Sequence, residues 1–173
     1  MKDGAPTSMS VCVRDHVACV RIAGRANLTS SVDFKKLLQQ LHEGGCTQVI
    51  LDLSQCAMMD STFLGVLARA ARKCEDARKE GRRCSIELLH PSERVLEMLE
   101  NLDVVNLFTI VNDAPEFGAF KRVEQGSTTR VELNRTCLEA HETLMKTNPD
   151  NERRFKDAAE FLRKNLTDSE GKE

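Results

Sequence analysis

The chain has 173 residues, of which 40% are hydrophobic and 30% are charged, and its formal net charge is -2 at pH 7. This length predicts one globular domain with a modest core and room for an appendage. The small net charge excludes bulk attraction to nucleic acid or to an anionic membrane. Trp and Tyr are absent, which argues against an aromatic platform for stacking bases. No stretch approaches the roughly 20 apolar residues of a membrane span, so we expect a cytoplasmic protein with no direct membrane insertion.

Short apolar runs alternate with amphipathic helical stretches from about residue 10 to residue 112. Strands are predicted at residues 11–13, 17–23, 49–53, 85–89 and 108–111. Helical periodicity predicts helices over residues 32–41, 61–80 and 92–99. This alternation predicts an α/β fold in which helices cover a mixed β-sheet.

The last third of the chain reads as a separate extension. Residues 114–128 contain Pro and Gly and are predicted to form a linker. Residues 129–167 then carry two apolar stripes at helical spacing, which predicts an α-helical hairpin. Two such stripes cannot be buried against each other alone, so we expect the hairpin to dock on the domain or to form a homodimer with a second copy. Residues 168–173 are predicted to form a flexible tail.

The cysteines and histidines show no metal-binding or redox spacing. None of the seven cysteines forms a Cys-x-x-Cys pair, so reduced thiols in the core are expected. The four histidines share no ligand spacing and are interpreted as surface or loop residues; they are His16, His42, His90 and His141. The sequence therefore predicts no metal site, no cofactor and no catalytic residue.

The segment Asp60-Ser61-Thr62 follows a buried strand and begins a helix. Backbone N–H groups at a helix start are a favourable environment for an anion, so a phosphate added to a hydroxyl there would be well accommodated. Asp and Ser are also common helix N-caps without any further role. The residues alone leave both interpretations open.

The run Leu51-Asp-Leu-Ser-Gln-Cys-Ala-Met-Met-Asp-Ser-Thr-Phe-Leu-Gly-Val-Leu67 resembles the signature of STAS domains, the family of bacterial anti-sigma factor antagonists. The family's Gly-x-x-Asp loop has a counterpart at residues 24–28, with Asn27 in place of Asp. The similarity continues to about residue 111, and it implies a STAS domain over residues 8–113.

The resemblance implies a phosphorylation-switched protein-binding module that regulates transcription and is not an enzyme. In family members, an anti-sigma factor that is also a serine kinase phosphorylates the residue matching Ser61, and a phosphatase reverses this. The unmodified antagonist binds that kinase and frees the sigma factor. Carried over here, Ser61 is the phosphoacceptor, Asp60 shapes the loop and Thr62 is the neighbouring hydroxyl. Asn27 and the first helical turn would form the partner-binding face.

One residue departs from the family pattern. Phe63 stands where most antagonists have Gly, and its ring could anchor a different partner or fold back over its own helix. Gly65 follows the family pattern, and close packing of the helix on the sheet is its simplest role.

Two other function classes stay open. STAS domains also serve as scaffold subunits of stressosome-like or lipid-transport complexes, where Phe63 and the hairpin would mediate permanent assembly. An enzyme or small-ligand receptor on a doubly wound sheet is the second alternative, although the chain has no Gly-x-Gly-x-x-Gly or P-loop motif.

Overall fold

The computed structural model describes residues 6–172 and shows six strands and five α-helices in this range. Residues 1–5 and Glu173, the last residue of the predicted tail, lie outside the described part of the chain. The strands are β1 (Ser8–Arg14), β2 (Val17–Ala26), β3 (Gln48–Met59), β4 (Ser85–Leu89), β5 (Thr109–Val111) and β6 (Lys121–Arg122). The helices are α1 (Leu28–Glu43), α2 (Ser61–Lys79), α3 (Glu93–Asn101), α4 (Arg130–Met145) and α5 (Pro149–Glu170).

The strands form one mixed sheet in the order β5-β4-β3-β2-β1-β6. The four strands from β2 to β5 are parallel, while β1 pairs antiparallel with β2 and with β6. Helices connect the parallel strands, as such crossovers require. The predicted α/β fold, with helices on a mixed sheet and a C-terminal helical hairpin, is confirmed.

The two faces of the sheet are covered differently. Alternate residues of the central strands, such as Val20 and Leu51, point into the main core, to which α1, α2, α3 and α4 all contribute. The opposite face carries a smaller cluster around Cys19 and Ile50, which the chain after β5 covers with Phe117 and Phe120. Helix packing is therefore confined to one side, and the predicted site lies on that side.

Local capping signals fix where the helices begin. The side chains of Asn27, Asp60, Ser92, Thr129 and Asn148 each accept a hydrogen bond from a backbone N–H of the first turn that follows. Each bond satisfies an amide that the helix itself leaves unpaired. Thr129 and Glu132 form a full capping box, since the Glu132 carboxylate also accepts from the Thr129 N–H at 2.8 Å.

The hairpin docks on the domain. Helix α4 packs against α1 and α2, and α5 packs on the outer side of α4. At the turn between them, the fully buried Asn151 side chain donates to the Leu102 carbonyl at 2.8 Å and to the Leu144 carbonyl at 3.0 Å. The sequence left two positions open for the hairpin, against its own domain or against a second copy. The structure shows α4 packed against its own domain.

Several local expectations were wrong or incomplete. Strand β2 continues through Gly24 to Ala26 because a register shift against β3 absorbs the irregularity, and β3 itself extends to Met59. The segment predicted as a linker contributes β6, which pairs with β1. The expectation that all cysteines are reduced is also wrong, because Cys74 and Cys84 form a disulfide between α2 and the start of β4.

Among residues 6–172, no helix combines the length and the apolar character that a bilayer crossing requires.

The stability of the core depends on the stacked rings of Phe34 and Phe63. Their centroids are 4.7 Å apart, and both side chains are fully buried. We expect Phe63→Ala to lower the free energy of unfolding by about 3–5 kcal/mol, because it leaves a cavity beneath α1 and α2. Urea unfolding followed by circular dichroism measures this change.

The matched control is Phe161→Ala, because Phe161 is 65% exposed on α5. We expect that substitution to change the unfolding free energy by less than about 0.5 kcal/mol. Equal effects of the two substitutions would contradict the burial described for Phe63.

Candidate functional site

The carboxylate of Asp60 joins the starts of α1 and α2. One oxygen accepts from the Phe63 N–H at 2.9 Å, and the other accepts from the Leu28 N–H at 2.8 Å. The Asp60 N–H in turn donates to the Ala26 carbonyl at 2.9 Å. The Asn27 loop and the first turn of α2, which the sequence placed on one partner-binding face, therefore lie side by side.

Asn27 is exposed, but its side chain is used within its own loop. Its amide oxygen accepts from the Ser30 N–H at 3.2 Å, and its backbone N–H donates to the Ser30 hydroxyl at 2.9 Å. This capping box holds the first turn of α1 in place. The two hydrogen bonds of Asn27 to Ser30 therefore fix the shape of the loop that a partner would contact.

Ser61 is the first residue of α2 and is half-buried. Its hydroxyl oxygen lies 3.3 Å from Nε2 of His141, which projects from α4. The side chain is at the surface of the STAS-like domain but beneath the edge of the hairpin. Access to Ser61 from outside is therefore limited by α4.

The three other predicted partner-binding residues on α2 are buried. Thr62 is 4% exposed and its hydroxyl lies 3.5 Å from the Cys137 sulfur, while Phe63 is in the core against Phe34. The expectation that Phe63 can anchor a partner is corrected in this conformation, because a side chain with no exposed surface cannot touch one. The alternative, a ring folded beneath its own helix, agrees with the structure.

Gly65 has a different role from the one expected. A Cβ atom at this position would lie 2.5 Å from the Ala140 carbonyl oxygen and 2.6 Å from the Ala140 Cβ, both on α4. The absence of a side chain therefore permits close contact between α2 and α4. The expected role in helix-to-sheet packing is replaced by packing between two helices.

His141 and Cys137 complete the site, and the sequence did not identify either of them. His141 is 8% exposed, which corrects its interpretation as a surface or loop residue. The available signal was their spacing of four residues on one face of the second-last helix. Burial raises the pKa of the Cys137 thiol, so this cysteine stays protonated at neutral pH.

Ser61 and His141 do not form the hydrolytic arrangement found in serine enzymes. Such sites need a third group that orients the imidazole, and here the Nδ1 atom of His141 has no hydrogen-bond partner. The Asp60 carboxylate is already bonded to two backbone amides. In the described part of the chain, no group of three or more His, Cys, Asp or Glu side chains is arranged to hold a metal ion.

The environment of His141 predicts that the free energy of unfolding depends on pH. Burial lowers the pKa of His141 below its ordinary value, and the nearby Asp60 charge only partly opposes this. The unfolded chain therefore binds a proton at a higher pH than the folded chain does. The contribution of His141 to the free energy of unfolding is therefore fully present above about pH 6.5 and is lost as the pH falls below that value.

We expect the wild-type chain to lose more unfolding free energy between pH 7.5 and 5.5 than the His141→Gln variant does. Urea unfolding at a series of pH values measures the difference, and the variant serves as the control for all other titrating groups. Parallel pH profiles for the two chains would contradict the buried, neutral state of His141.

The sequence of the chain is similar to that of a known protein family. Residues 9–109, more than half of the chain, match the sequence model of a family described as "Mlab, STAS domain". No curated protein matches the sequence.

The chain is also similar to solved structures. An anti-sigma factor antagonist from Mycobacterium paratuberculosis superposes with a TM-score of 0.52 at 13% identity, covering 65% of this chain and 92% of that protein. A putative anti-sigma factor antagonist from Thermotoga maritima has a TM-score of 0.49 at 21% identity, covering 59% of this chain and 84% of that one. The Bacillus cell fate determinant SpoIIAA, in its phosphorylated form, has a TM-score of 0.49 at 15% identity, covering 61% and 92%.

The family match runs from β1 to the start of β5 and includes the Asp60 loop and helix α2, and the mycobacterial structure shares the fold. This chain belongs to the STAS domain family.

Proposed function

We propose that this protein is an anti-sigma factor antagonist whose binding to a serine-kinase anti-sigma factor is switched by phosphorylation of Ser61. The observation that carries the proposal is the pair of hydrogen bonds that the Asp60 carboxylate accepts from backbone N–H groups at the starts of α1 and α2. These hydrogen bonds support the proposal because they hold the first turn of α2, which carries Ser61, next to the Asn27 loop. The face binds another protein and performs no reaction of its own.

The choice of Ser61 over Thr62 follows from burial. Ser61 is half-buried at the edge of the site, whereas Thr62 is 4% exposed and faces Cys137. A kinase needs the acceptor hydroxyl to enter its own active site, so the less buried residue is the better acceptor. The kinase supplies the ATP, and a phosphatase removes the phosphate.

The switch works by charge. Phosphorylation adds about -1.5 to -2 charges and three acceptor oxygens at a point already occupied by the Asp60 carboxylate. A partner surface that fits a neutral hydroxyl would have to desolvate this charge without a compensating group. The phosphorylated protein therefore releases its kinase, which then holds the sigma factor. This activity places the protein in the cytoplasm.

The test uses tagged full-length chain expressed in its native host. We expect phosphate on Ser61 of the wild-type chain, and we expect Ser61→Ala to retain at least about ten times more of a serine kinase than Ser61→Asp. Mass spectrometry locates the phosphate and quantifies the kinase in each purification.

The matched control is the pair Ser54→Ala and Ser54→Asp, because Ser54 is an exposed serine on β3, the strand before the site. This pair should not alter the kinase yield. Equal recovery of the kinase with Ser61→Ala and Ser61→Asp, or phosphate only at other residues, would exclude Ser61 as the switch.

One observation favours a scaffold role as the second candidate. Helix α4 covers part of the proposed docking face and leaves the outer side of α5, with the exposed Phe161, available for assembly. A scaffold subunit would form a large oligomer that persists in high salt, whereas the switch requires a monomer or dimer. Light scattering after size-exclusion chromatography separates these outcomes.

A further inference from the structure

We propose that the face formed by α1 and α2 is a helix-binding surface and that α4 is its resident occupant, which a partner helix displaces. This inference rests on the proposed function, because it names how the partner engages that site. The face selects a helix that has a small residue opposite Gly65 and carboxylates opposite the lysines of α1.

The first argument is the close approach of α4. A Cβ atom on Gly65 would overlap the Ala140 carbonyl, so this point of α2 accepts a helix only because neither residue has a long side chain. Ala140 is fully buried in the contact. The gap is shaped for a helix backbone with a small residue, and a loop or strand with larger side chains would not fit it.

The second argument is the charge pattern across the contact. On α1, the Lys35 ammonium lies 2.7 Å from the Glu139 carboxylate and the Lys36 ammonium lies 3.4 Å from the Glu132 carboxylate. Both cations belong to the domain and both anions belong to α4. These pairs orient the bound helix, and a partner helix needs carboxylates at equivalent positions to take its place.

The third argument is that the contact is polar for a structural interface. Three of the five buried residues of α4 are polar, namely Thr136, His141 and Thr143, and only Ala140 and Leu144 are apolar. The buried side-chain atoms without a hydrogen-bond partner within residues 6–172 are Arg72 Nε, His141 Nδ1 and Asn151 Oδ1.

All three of these atoms lie where the hairpin meets the domain. Arg72 bonds Thr147 after α4, His141 faces Ser61, and Asn151 bonds the carbonyl that follows α3. An unpaired buried polar atom weakens the state that buries it. These unpaired atoms weaken the docked state of the hairpin, which favours its displacement by a partner.

The fourth argument is the space that α4 leaves empty. A groove of about 460 Å³ continues between α1 and α2 next to Ala140, and its walls include Leu38, Val66 and Ala70. Arg69 and Lys73 stand among the residues that line it. A partner helix with a larger apolar side chain beside its small residue would fill this groove and bind more tightly than α4. Its acidic residues would face the same cationic surroundings.

The test first releases the hairpin without altering the face. In the full-length Ala140→Leu variant, the added side chain cannot fit against Gly65. We expect Cys137 to react with a thiol reagent at least about ten times faster than in the wild-type chain. The thiol of Cys12, on β1 and remote from α4, provides the internal reference in the same mass spectrometry experiment.

The second step measures whether the released face binds a helix supplied as a separate peptide. The probe is a synthetic peptide of residues 129–147, which carries the native α4 sequence. We expect it to bind the Ala140→Leu chain at least about ten times more tightly than the wild-type chain, whose face is occupied. Adding Gly65→Ala to the Ala140→Leu chain should abolish peptide binding, because the new Cβ atom closes the gap.

A charge exchange provides a second route in case Ala140→Leu does not fold. Glu139→Lys places a third cation beside Lys35 and Lys36, so we expect it also to increase Cys137 reactivity. The double variant Lys35→Glu with Glu139→Lys should restore the wild-type rate. If neither Glu139→Lys nor Ala140→Leu exposes Cys137, or if a released chain does not bind the peptide, the inference is overturned.

The peptide experiment contains no kinase and no phosphate. Peptide binding to the released chain supports the helix-binding face even if the Ser61 variants show no difference in kinase capture, in which case only the proposed function fails. A kinase that distinguishes the Ser61 variants while the peptide binds no released chain overturns only this inference.

Discussion

The two hydrogen bonds that the Asp60 carboxylate accepts from the starts of α1 and α2 are the constraint on which the site depends. Backbone amides at a helix start have no partner in their own helix, and here one side chain satisfies an amide of α1 and an amide of α2 at 2.8 and 2.9 Å. The two helices are thereby fixed with their positive ends together. The resulting face combines the Ser61 hydroxyl, which we propose as the phosphoacceptor, with the Asn27 loop and the positive ends of two helices.

The hairpin gives this STAS domain a property that a bare domain would not have. The face that would bind a partner is partly covered by α4, through the contact of Gly65 with Ala140 and the approach of His141 to Ser61. In the proposed function, partner binding and modification of Ser61 would both depend on the position of α4. A partner must gain more from the face than α4 does, and the groove beside Ala140 is where that additional contact is available.

The sequence predicted the parts of this structure that depend on neighbouring residues. Apolar periodicity located the helices, and two of them begin within one residue of the predicted positions 92 and 129, where Ser92 and Thr129 cap them. The run from Leu51 to Leu67 indicated the STAS family and the helix that carries the proposed site. Strand β2 was predicted too short because Gly24 usually interrupts a strand, whereas here a register shift accommodates it.

Contacts between distant segments could not be predicted in this way. Phe63 is buried because it meets Phe34 on another helix, and neither residue indicates the other in the sequence. The same holds for Gly65 with Ala140, for Ser61 with His141 and for the disulfide between Cys74 and Cys84. The position of the hairpin follows from these contacts, so the covered state of the site was visible only in three dimensions.

Hydrogen–deuterium exchange of the full-length chain with and without the serine kinase proposed as its partner tests the central claim most directly. The account predicts that amides in the first turns of α1 and α2 become protected in the complex while amides of α4 lose protection. A footprint on another surface of the domain, with the exchange of both regions unchanged, would contradict it.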